Sequence, residues 1–255
     1  KAIVKIEVPM IKGTVLETIE DCVYLNADNV VSKATLEVVD DGGKVGLSVQ
    51  GARSLWKTFL DDAFVLTKRA EVIAENLPTR FPNLSIDELT AIKVYTSDQM
   101  RNGSKIYQTL NTELRAGTLS DFNNELNDLL NRGLGKLTPH NGNVFRGVYG
   151  AEANLAKSWK VGDEIPFKDF KSSSTNKQVA AYDFSYSKGE SVIYEIKGAN
   201  GSNVCGISCM PNEMEVMFRS NLKFKVKEVD LNHMIFDKNF EHQNKFTKIV
   251  LELIP

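Results

Sequence analysis

Residues 211–218 read Pro-Asn-Glu-Met-Glu-Val-Met-Phe, which places Glu213 and Glu215 one residue apart. In an extended strand, residues i and i+2 point to the same face and lie about 6–7 Å apart. The pattern therefore predicts that both carboxylates face one outer space, while Met214 and the alternate apolar residues after it are buried on the opposite face. The turn-prone Pro-Asn pair predicts that Glu213 lies on a loop and that Glu215 begins the strand. An isolated pair of this kind is typical of a solvated strand edge, so its meaning depends on the motifs that accompany it.

A second motif lies upstream, where residues 143–149 form a short apolar stretch interrupted by Arg146 and followed by Gly147. Arginine is poorly tolerated on the buried face of a strand unless its guanidinium meets an anion, and its planar donors suit phosphate. Glycine at the next position lets another backbone or a flat ligand approach closely. This segment therefore predicts a strand that presents an anion-binding side chain.

A third motif is a row of hydroxyl side chains. Residues 170–175 read Phe-Lys-Ser-Ser-Ser-Thr. Serine runs are commonly loops, but hydroxyls at alternate positions of a strand can orient a neighbouring carboxylate by hydrogen bonding.

In this order and spacing, the three motifs resemble the arginine–serine–glutamate class of mono-ADP-ribosyltransferases, which includes actin-modifying binary toxins, phage enzymes and many polymorphic bacterial toxins. Residues 146–147 resemble the first motif of that class. Residues 170–174 resemble its aromatic-x-Ser-Thr-Ser motif, with Ser173 where threonine is usual. Residues 213–216 resemble the Glu-x-Glu loop that meets the target.

The resemblance covers roughly the C-terminal two-thirds of the 255 residues, with residues 88–96 similar to the family's early helix and 223–226 similar to its closing strand. It implies an α+β, ADP-ribosyltransferase-like fold, in which a helical N-terminal part packs on a mixed or antiparallel β-sandwich around an NAD cleft. The sequence pattern agrees with this layout. Helical periodicity, including a capping-box signature at residues 85–88, precedes strand-like periodicity from Val144 onward.

One of the predicted helices begins near Ser120. Gly133 and Gly135 follow its last apolar residues and predict that the helix ends there.

The domain organisation is predicted from the N-terminal third. Residues 1–50 show strand-like alternation, and a helical pattern then runs from Ala52 to about Asn76. We expect residues 1–80 to form an appendage or the tail of an upstream scaffold, and residues 81–255 to form the catalytic domain. Because the chain starts at Lys1 without a signal-like stretch, we also expect it to be a fragment of a longer polypeptide.

The resemblance implies NAD⁺ as co-substrate and a role for four catalytic residues. Glu215 is expected to stabilise the positive charge that develops on the ribose as the nicotinamide–ribose bond breaks, and also to bind a ribose hydroxyl. Ser172 is expected to hold Glu215, and Arg146 to clamp phosphate oxygens. At the position of Glu213, family members with glutamate modify arginine and those with glutamine modify other acceptors. A carboxylate there can pair with a guanidinium and help to remove its proton.

The resemblance implies further residues that bind NAD. The backbone of Gly147 is expected to meet the nicotinamide amide, and Ser174 and Thr175 are expected to supply supporting hydrogen bonds. Phe184 lies ten residues after Ser174, where the family commonly has an aromatic residue packed on nicotinamide. An ordinary buried phenylalanine is an equal alternative for this residue.

These residues together predict an enzyme that transfers ADP-ribose from NAD to an arginine of a target protein. The resemblance also implies a secreted or injected toxin or effector that acts in the cytosol of a target cell, and a cognate immunity protein as a partner. The low number of cysteines fits a reducing cytosol.

Composition argues against other classes. The formal net charge of −2 gives no electrostatic footprint for nucleic acid, and no apolar run approaches the length needed to cross a bilayer. Cys205 and Cys209 have the spacing of half a metal clip, but no second cysteine pair or nearby histidine completes it. We therefore expect no metal, no nucleic-acid partner and no membrane insertion.

Three alternatives stay open at this point. An NAD glycohydrolase would share the cleft but use water as the acceptor. A non-catalytic module of the same fold would bind a partner only. A glycoside hydrolase could use Glu213 and Glu215 as its pair of carboxyl groups, but this leaves Arg146 and the serine row unexplained.

Overall fold

A computed structural model of the chain describes residues 62–185, 191–198, 200–236 and 243–254, together with the backbone of four short strands before residue 40. Those strands form two antiparallel pairs, β1 with β4 and β2 with β3. Their bounds are β1 Ile3–Glu7, β2 Leu16–Ile19, β3 Cys22–Leu25 and β4 Thr35–Val39. The first ten residues of the helix predicted from Ala52 lie outside the described residues.

The helices precede most strands of the main sheet. Their bounds are α1 Ala63–Ala74, α2 Leu77–Arg80, α3 Ile86–Tyr95, α4 Ile106–Ala116, α5 Asp121–Lys136 and α6 Gly150–Ala156. A π-helical turn at Val179–Asp183 and a 3-10 turn at Pro211–Glu213 lie between strands. Among the described residues, no helix is both long enough and apolar enough to cross a membrane.

Helix α3 begins at the predicted capping box. The hydroxyl of Ser85 accepts a hydrogen bond from the backbone N–H of Glu88 at 3.2 Å, and the Glu88 carboxylate accepts one from the Ser85 N–H at 2.8 Å. Lys136, the last residue of α5, also binds the Glu88 carboxylate, at 2.7 Å. This exchange satisfies the free donors at the start of α3 and ties the helix to the end of α5.

The predicted end of α5 is wrong. The helix continues through Gly133 and Gly135 to Lys136. A Cβ added at Gly133 would lie 3.2 Å from the Cβ of Glu88. Gly133 therefore allows α5 to pack closely against α3, and this tertiary contact outweighs the low helix propensity of glycine.

Nine strands form one mixed sheet in the order β7-β12-β13-β10-β8-β11-β15-β14-β9. Only the β11–β15 pair of this sheet is parallel, and all its other recorded pairs are antiparallel. The two-stranded β5–β6 hairpin stands apart from it. The bounds are β5 Met100–Arg101, β6 Ser104–Lys105, β7 Pro139–His140, β8 Val144–Val148, β9 Glu164–Phe167, β10 Lys171–Ser174, β11 Val192–Lys197, β12 Gly201–Asn203, β13 Glu215–Phe218, β14 Leu222–Phe236 and β15 Gln243–Ile254.

The sheet curls back on itself. The rings of Phe218 on β13 and Phe224 on β14 lie 5.5 Å apart in an edge-to-face contact, although four strands separate β13 from β14 in the sheet order. In a flat sheet with strands about 4.8 Å apart, these residues would be far from each other. A sandwich-like apolar core thus forms inside one continuous sheet, and the predicted α+β fold is confirmed.

A second apolar core joins the helices to the sheet. Leu89 of α3 and Leu126 of α5 are fully buried in it, together with Met217 of β13. Val65 and Val72 of α1 belong to the same cluster, so α1 packs on the helical layer. The division of the chain at residue 80 stays a prediction.

Replacing Leu126 by alanine should lower the free energy of unfolding by about 2–5 kcal/mol, because the change opens a cavity in this core. Leu155→Ala is the matched control, since Leu155 is 61% exposed on α6 and its truncation should change stability by less than about 0.5 kcal/mol. Urea denaturation followed by circular dichroism measures both. Equal effects of the two substitutions would contradict the assigned core.

Candidate active site

The three motifs lie on three neighbouring strands, β13, β10 and β8. Ser174 of β10 is paired with Glu215 of β13 on one side and with Phe145 of β8 on the other. Directly opposed residues share a face of the sheet. The fold therefore brings the segments that carry the arginine, serine and glutamate motifs together on adjacent strands of one sheet.

Glu215 is the first residue of β13, as predicted, and it is only 5% exposed. Its Oε2 accepts a hydrogen bond from the hydroxyl of Ser208 at 3.3 Å. Burial raises the pKa of Glu215, while hydrogen bonds from Ser172 and Ser208 and the charge of Arg146 oppose that rise. Ser172 thus lies near enough to influence Glu215, and its predicted role in holding this carboxylate stays a prediction.

Glu213 lies outside the strand, in the 3-10 turn, as the Pro-Asn pair predicts. The prediction for Met214 is wrong. This residue adopts a left-handed conformation with φ of 48° and is 39% exposed, so strict strand alternation does not hold between the two acids. The carboxylates nevertheless interact. Burial, and then the charge of Glu215, raises the pKa of Glu213 to about 7, with smaller contributions from Asp98 and Asp183.

Ser174 fixes the turn that carries Glu213. Its hydroxyl donates to the backbone carbonyl of Glu213 at 2.7 Å and accepts from the N–H of Asn176 at 3.0 Å. The N–H of Thr175 donates to the carbonyl of Met214 at 3.2 Å. Ser174 and Thr175 therefore have a visible structural function in this turn, and their predicted contacts with NAD stay predictions.

Arg146 ties β8 to β10. Strands β8 and β10 pair at only one position, Ser174 with Phe145, and the charge of Arg146 reaches both Glu215 and Tyr95. The Nη1 of Arg146 donates to the carbonyl oxygen of Ser172 at 2.8 Å. The Nε is buried and has no hydrogen-bond partner among the described residues.

A partly buried ionic chain surrounds Arg146. Arg146 Nη2 lies 3.4 Å from Glu152 Oε2, Lys171 Nζ lies 3.1 Å from Glu152 Oε1, and Lys171 also binds Asp169 at 3.2 Å. Asp169 in turn pairs with Arg115 of α4. Burial alone would raise the pKa of Glu152, but the charges of Arg146 and Lys171 lower it to about 2. Ionised Glu152 therefore holds the guanidinium in place.

Gly147 permits a very close backbone approach. A Cβ at this position would lie 1.9 Å from the carbonyl oxygen of Ala180 in the π-helical turn. The turn ends at Phe184, which is half-buried. The structure thus supplies a physical reason for glycine, while the predicted contacts of Gly147 and Phe184 with nicotinamide stay predictions.

The sequence motifs did not predict three residues that lie near the site in the structure. Ser208 lies in a turn without a recognisable motif, and Glu152 lies on a helix six residues after Arg146. Lys171 stands at the unspecified position of the aromatic-x-Ser motif. No local signal marks Ser208 or Glu152, because their partners are brought in by the fold. A lysine that begins a buried strand was the available signal for Lys171.

The two cysteines make separate contacts. The thiol of Cys205 lies 3.7 Å from the carbonyl oxygen of Glu215, and that of Cys209 lies 3.3 Å from the carbonyl oxygen of Lys93. Within the described residues, no group of three or more histidine, cysteine, aspartate or glutamate side chains is arranged to hold a metal ion.

The chain belongs to the NAD:arginine ADP-ribosyltransferase family, whose sequence model matches residues 41–238. It is similar to Mav of Mycobacterium avium (strain 104), which carries the name of an NAD⁺–arginine ADP-ribosyltransferase, with 32% identity over 149 residues. That match covers 58% of this chain and 17% of Mav, so the chain spans only about a sixth of the length of that relative. The family predicted from the three motifs is confirmed.

Solved structures share the fold. Exoenzyme S of Pseudomonas aeruginosa, in complex with human 14-3-3 protein beta and bound to carba-NAD, matches with a TM-score of 0.57 and 19% identity, covering 79% of this chain and 88% of that one. Vis, an ADP-ribosyltransferase toxin of Vibrio splendidus, matches in its complex with agmatine with a TM-score of 0.52 and 20% identity, covering 80% and 86%. These likenesses agree with the ADP-ribosyltransferase fold expected from the sequence.

Glu152→Gln should destabilise the protein in a pH-dependent way. The folded-state pKa of about 2 lies below the ordinary value of 4.5, so the ionised carboxylate stabilises the fold above pH 4.5 and loses this effect as pH falls toward 2. At neutral pH the substitution should lower the free energy of unfolding by about 3 kcal/mol, because Arg146 and Lys171 lose a buried counter-charge.

Chemical denaturation of both proteins at a series of pH values measures this difference. Glu164→Gln is the control, since Glu164 forms an exposed pair with Lys223 and its loss should cost less than about 1 kcal/mol. A difference between wild type and Glu152→Gln that stays constant down to the lowest pH would contradict the ionic chain.

Proposed function

We propose that this chain cleaves NAD⁺ and transfers ADP-ribose to an arginine of a target protein. The observation that carries the proposal is the placement of Glu215, a buried carboxylate that begins β13 opposite Ser174 and accepts a hydrogen bond from Ser208. Membership of the NAD:arginine ADP-ribosyltransferase family supports the same reaction. We also propose that residues 81–255 carry the catalytic domain.

Glu215 supplies the electrostatic part of the reaction. The bond between ribose C1′ and the nicotinamide nitrogen breaks, nicotinamide leaves with the electron pair, and positive charge develops on the ribose. A fixed carboxylate stabilises that charge most strongly where water is excluded, and Glu215 is buried. We propose that the hydroxyl of Ser172, which opposes the rise in the pKa of Glu215, orients this carboxylate.

Glu213 acts on the acceptor. A guanidinium nitrogen of the target arginine forms the new bond to C1′ and gives its proton to the Glu213 carboxylate. Because burial and the charge of Glu215 raise the pKa of Glu213 to about 7, this group can accept a proton near neutral pH. The complex of Vis with agmatine, which carries a guanidinium group, supports an acceptor of this chemistry.

The remaining motif residues bind NAD. The Arg146 side chain is 21% exposed, so we propose that it contacts phosphate oxygens while it also ties β8 to β10. We assign the nicotinamide end to Gly147, Ser174 and Phe184. Exoenzyme S bound to carba-NAD supports a dinucleotide cleft in this fold.

A glycohydrolase that uses water as acceptor is the second candidate. It would need Glu215 but not a base of raised pKa at Glu213. The position of Glu213 beside Glu215 favours transfer, because the group is then available to the attacking nitrogen. Detection of ADP-ribose on a protein, rather than only free ADP-ribose, separates the two functions.

We propose a toxin or effector role in the cytosol of a target cell. The support is that Vis is a toxin with the same fold and that this chain has few cysteines. Secretion and a cognate immunity protein are part of this proposal. Mass spectrometry of ADP-ribosylated peptides after expression in cells would identify the target.

Glu215→Gln should remove NAD⁺ hydrolysis and ADP-ribose transfer together. The substitution keeps the shape of the side chain but loses the charge that stabilises the ribose, which should cost about 10²–10⁴-fold in rate. Nicotinamide release measures hydrolysis, and labelling of agmatine measures transfer. Glu164→Gln is the control for loss of one carboxylate. A Glu215→Gln variant with near-wild-type turnover would refute the assignment.

Glu213→Gln should separate the two activities. Hydrolysis should persist, while transfer to agmatine should fall by about 10²-fold or more because the proton acceptor is lost. In the wild type, transfer should decline as pH falls through about 7, where Glu213 becomes protonated, and this decline should be absent from the residual transfer of the variant. Unchanged transfer by Glu213→Gln would mean that the acceptor does not depend on this residue.

A further inference from the structure

We propose that Ser208 is a positioning residue for the catalytic carboxylate of Glu215, in addition to the role proposed for Ser172. The inference rests on the proposed function, because it concerns the same carboxylate. It adds a residue that lies outside the three sequence motifs.

The turn that carries Ser208 runs alongside Glu215. Strand β12 pairs with β13, with Asn203 opposite Val216, and the chain then continues as residues 204–210. The N–H of Val204 donates to the backbone carbonyl of Glu215 at 3.1 Å. Glu215 is therefore enclosed by β10 on one side and by this turn on the other.

The hydroxyl of Ser208 has a defined direction. Its oxygen accepts a hydrogen bond from the N–H of Met210 at 3.0 Å, and the N–H of Ser208 donates to the carbonyl of Val204 at 2.8 Å. The hydroxyl hydrogen is then available for Glu215 Oε2, 3.3 Å away. Ser208 is 6% exposed, so water competes little for this bond.

The turn is anchored to the helical layer, independently of β10. The N–H of Cys209 donates to the hydroxyl of Thr96 at 3.0 Å. Ile207 is fully buried in the same apolar cluster as Leu89 and Ile92 of α3. The turn thus holds the Ser208 hydroxyl against the carboxylate from an element other than β10, and this hydrogen bond orients the carboxylate.

Loss of the Ser208 hydroxyl has a defined electrostatic consequence. The charged or titratable groups that interact with Glu215 are Arg146 of β8, Glu213 of the 3-10 turn, Tyr95 of α3 and Cys205. Burial raises the pKa of Glu215, and the Ser208 hydrogen bond opposes that rise. Removing this bond should raise the pKa further, so less of the enzyme carries the ionised carboxylate at a given pH.

The test is the pH dependence of NAD⁺ hydrolysis by Ser208→Ala. Hydrolysis is chosen because it does not use Glu213 as the base, and repeating the profile in the Glu213→Gln background removes that second titration. We expect kcat to fall about 5–30-fold, because the variant loses one rather long hydrogen bond to a charged group. We also expect the acidic limb of the pH–rate profile, the fall in kcat at low pH, to move to higher pH. The KM for NAD⁺ should change little. Ser208→Thr, which keeps a hydroxyl, should restore the wild-type limb.

Ser202→Ala is the matched control, because Ser202 is also a buried serine and donates to the carbonyl of Leu134 instead of to Glu215. It should lower the melting temperature without moving the acidic limb. If Ser208→Ala does not fold, Ser208→Cys under reducing conditions replaces it, since a thiol is a weak donor. If the folded Ser208 variant keeps the wild-type pH dependence at acidic pH, the inference is overturned. If the wild type releases no nicotinamide from NAD⁺ even with agmatine present, the proposed function itself is overturned.

Discussion

Burial of the Glu215 carboxylate is the constraint on which the rest of the site depends. A buried carboxylate is costly unless hydrogen bonds satisfy it, and here the fold supplies the hydroxyl of Ser208 and places Ser172 nearby on β10. To place these two serines, β13 must pair with β10 on one side and lie beside the turn after β12 on the other. The burial of Glu213 itself, and then the charge of the neighbouring Glu215, raises the pKa of Glu213. The burial of Glu215 therefore connects the order of the strands around β13 to the reaction that we propose.

Arg146 of β8 meets a related constraint. Its guanidinium is held by the Ser172 carbonyl and by Glu152, and Lys171 connects Glu152 to Asp169. Such a chain adds little net stability compared with apolar packing, but removing one member leaves a buried charge without a partner. The ionic chain therefore fixes geometry between β8 and β10. This is a structural function, distinct from the phosphate contact that we propose.

The sequence predicts features whose cause is local. Alternation and turn chemistry predict that Glu213 lies on a turn and that β13 begins at Glu215. Features with a tertiary cause could not be predicted. Gly133 continues a helix because α3 packs against it, Met214 leaves the strand pattern through a left-handed turn, and Ser208 reaches Glu215 only because the sheet places them side by side.

A crystal structure with carba-NAD, which is not cleaved, tests the central claim most directly. The account predicts that the nicotinamide ribose lies within hydrogen-bond distance of the Glu215 carboxylate, with the phosphates on the side of Arg146. A dinucleotide bound away from β8, β10 and β13, or a Glu215 carboxylate directed away from the ribose, would contradict it.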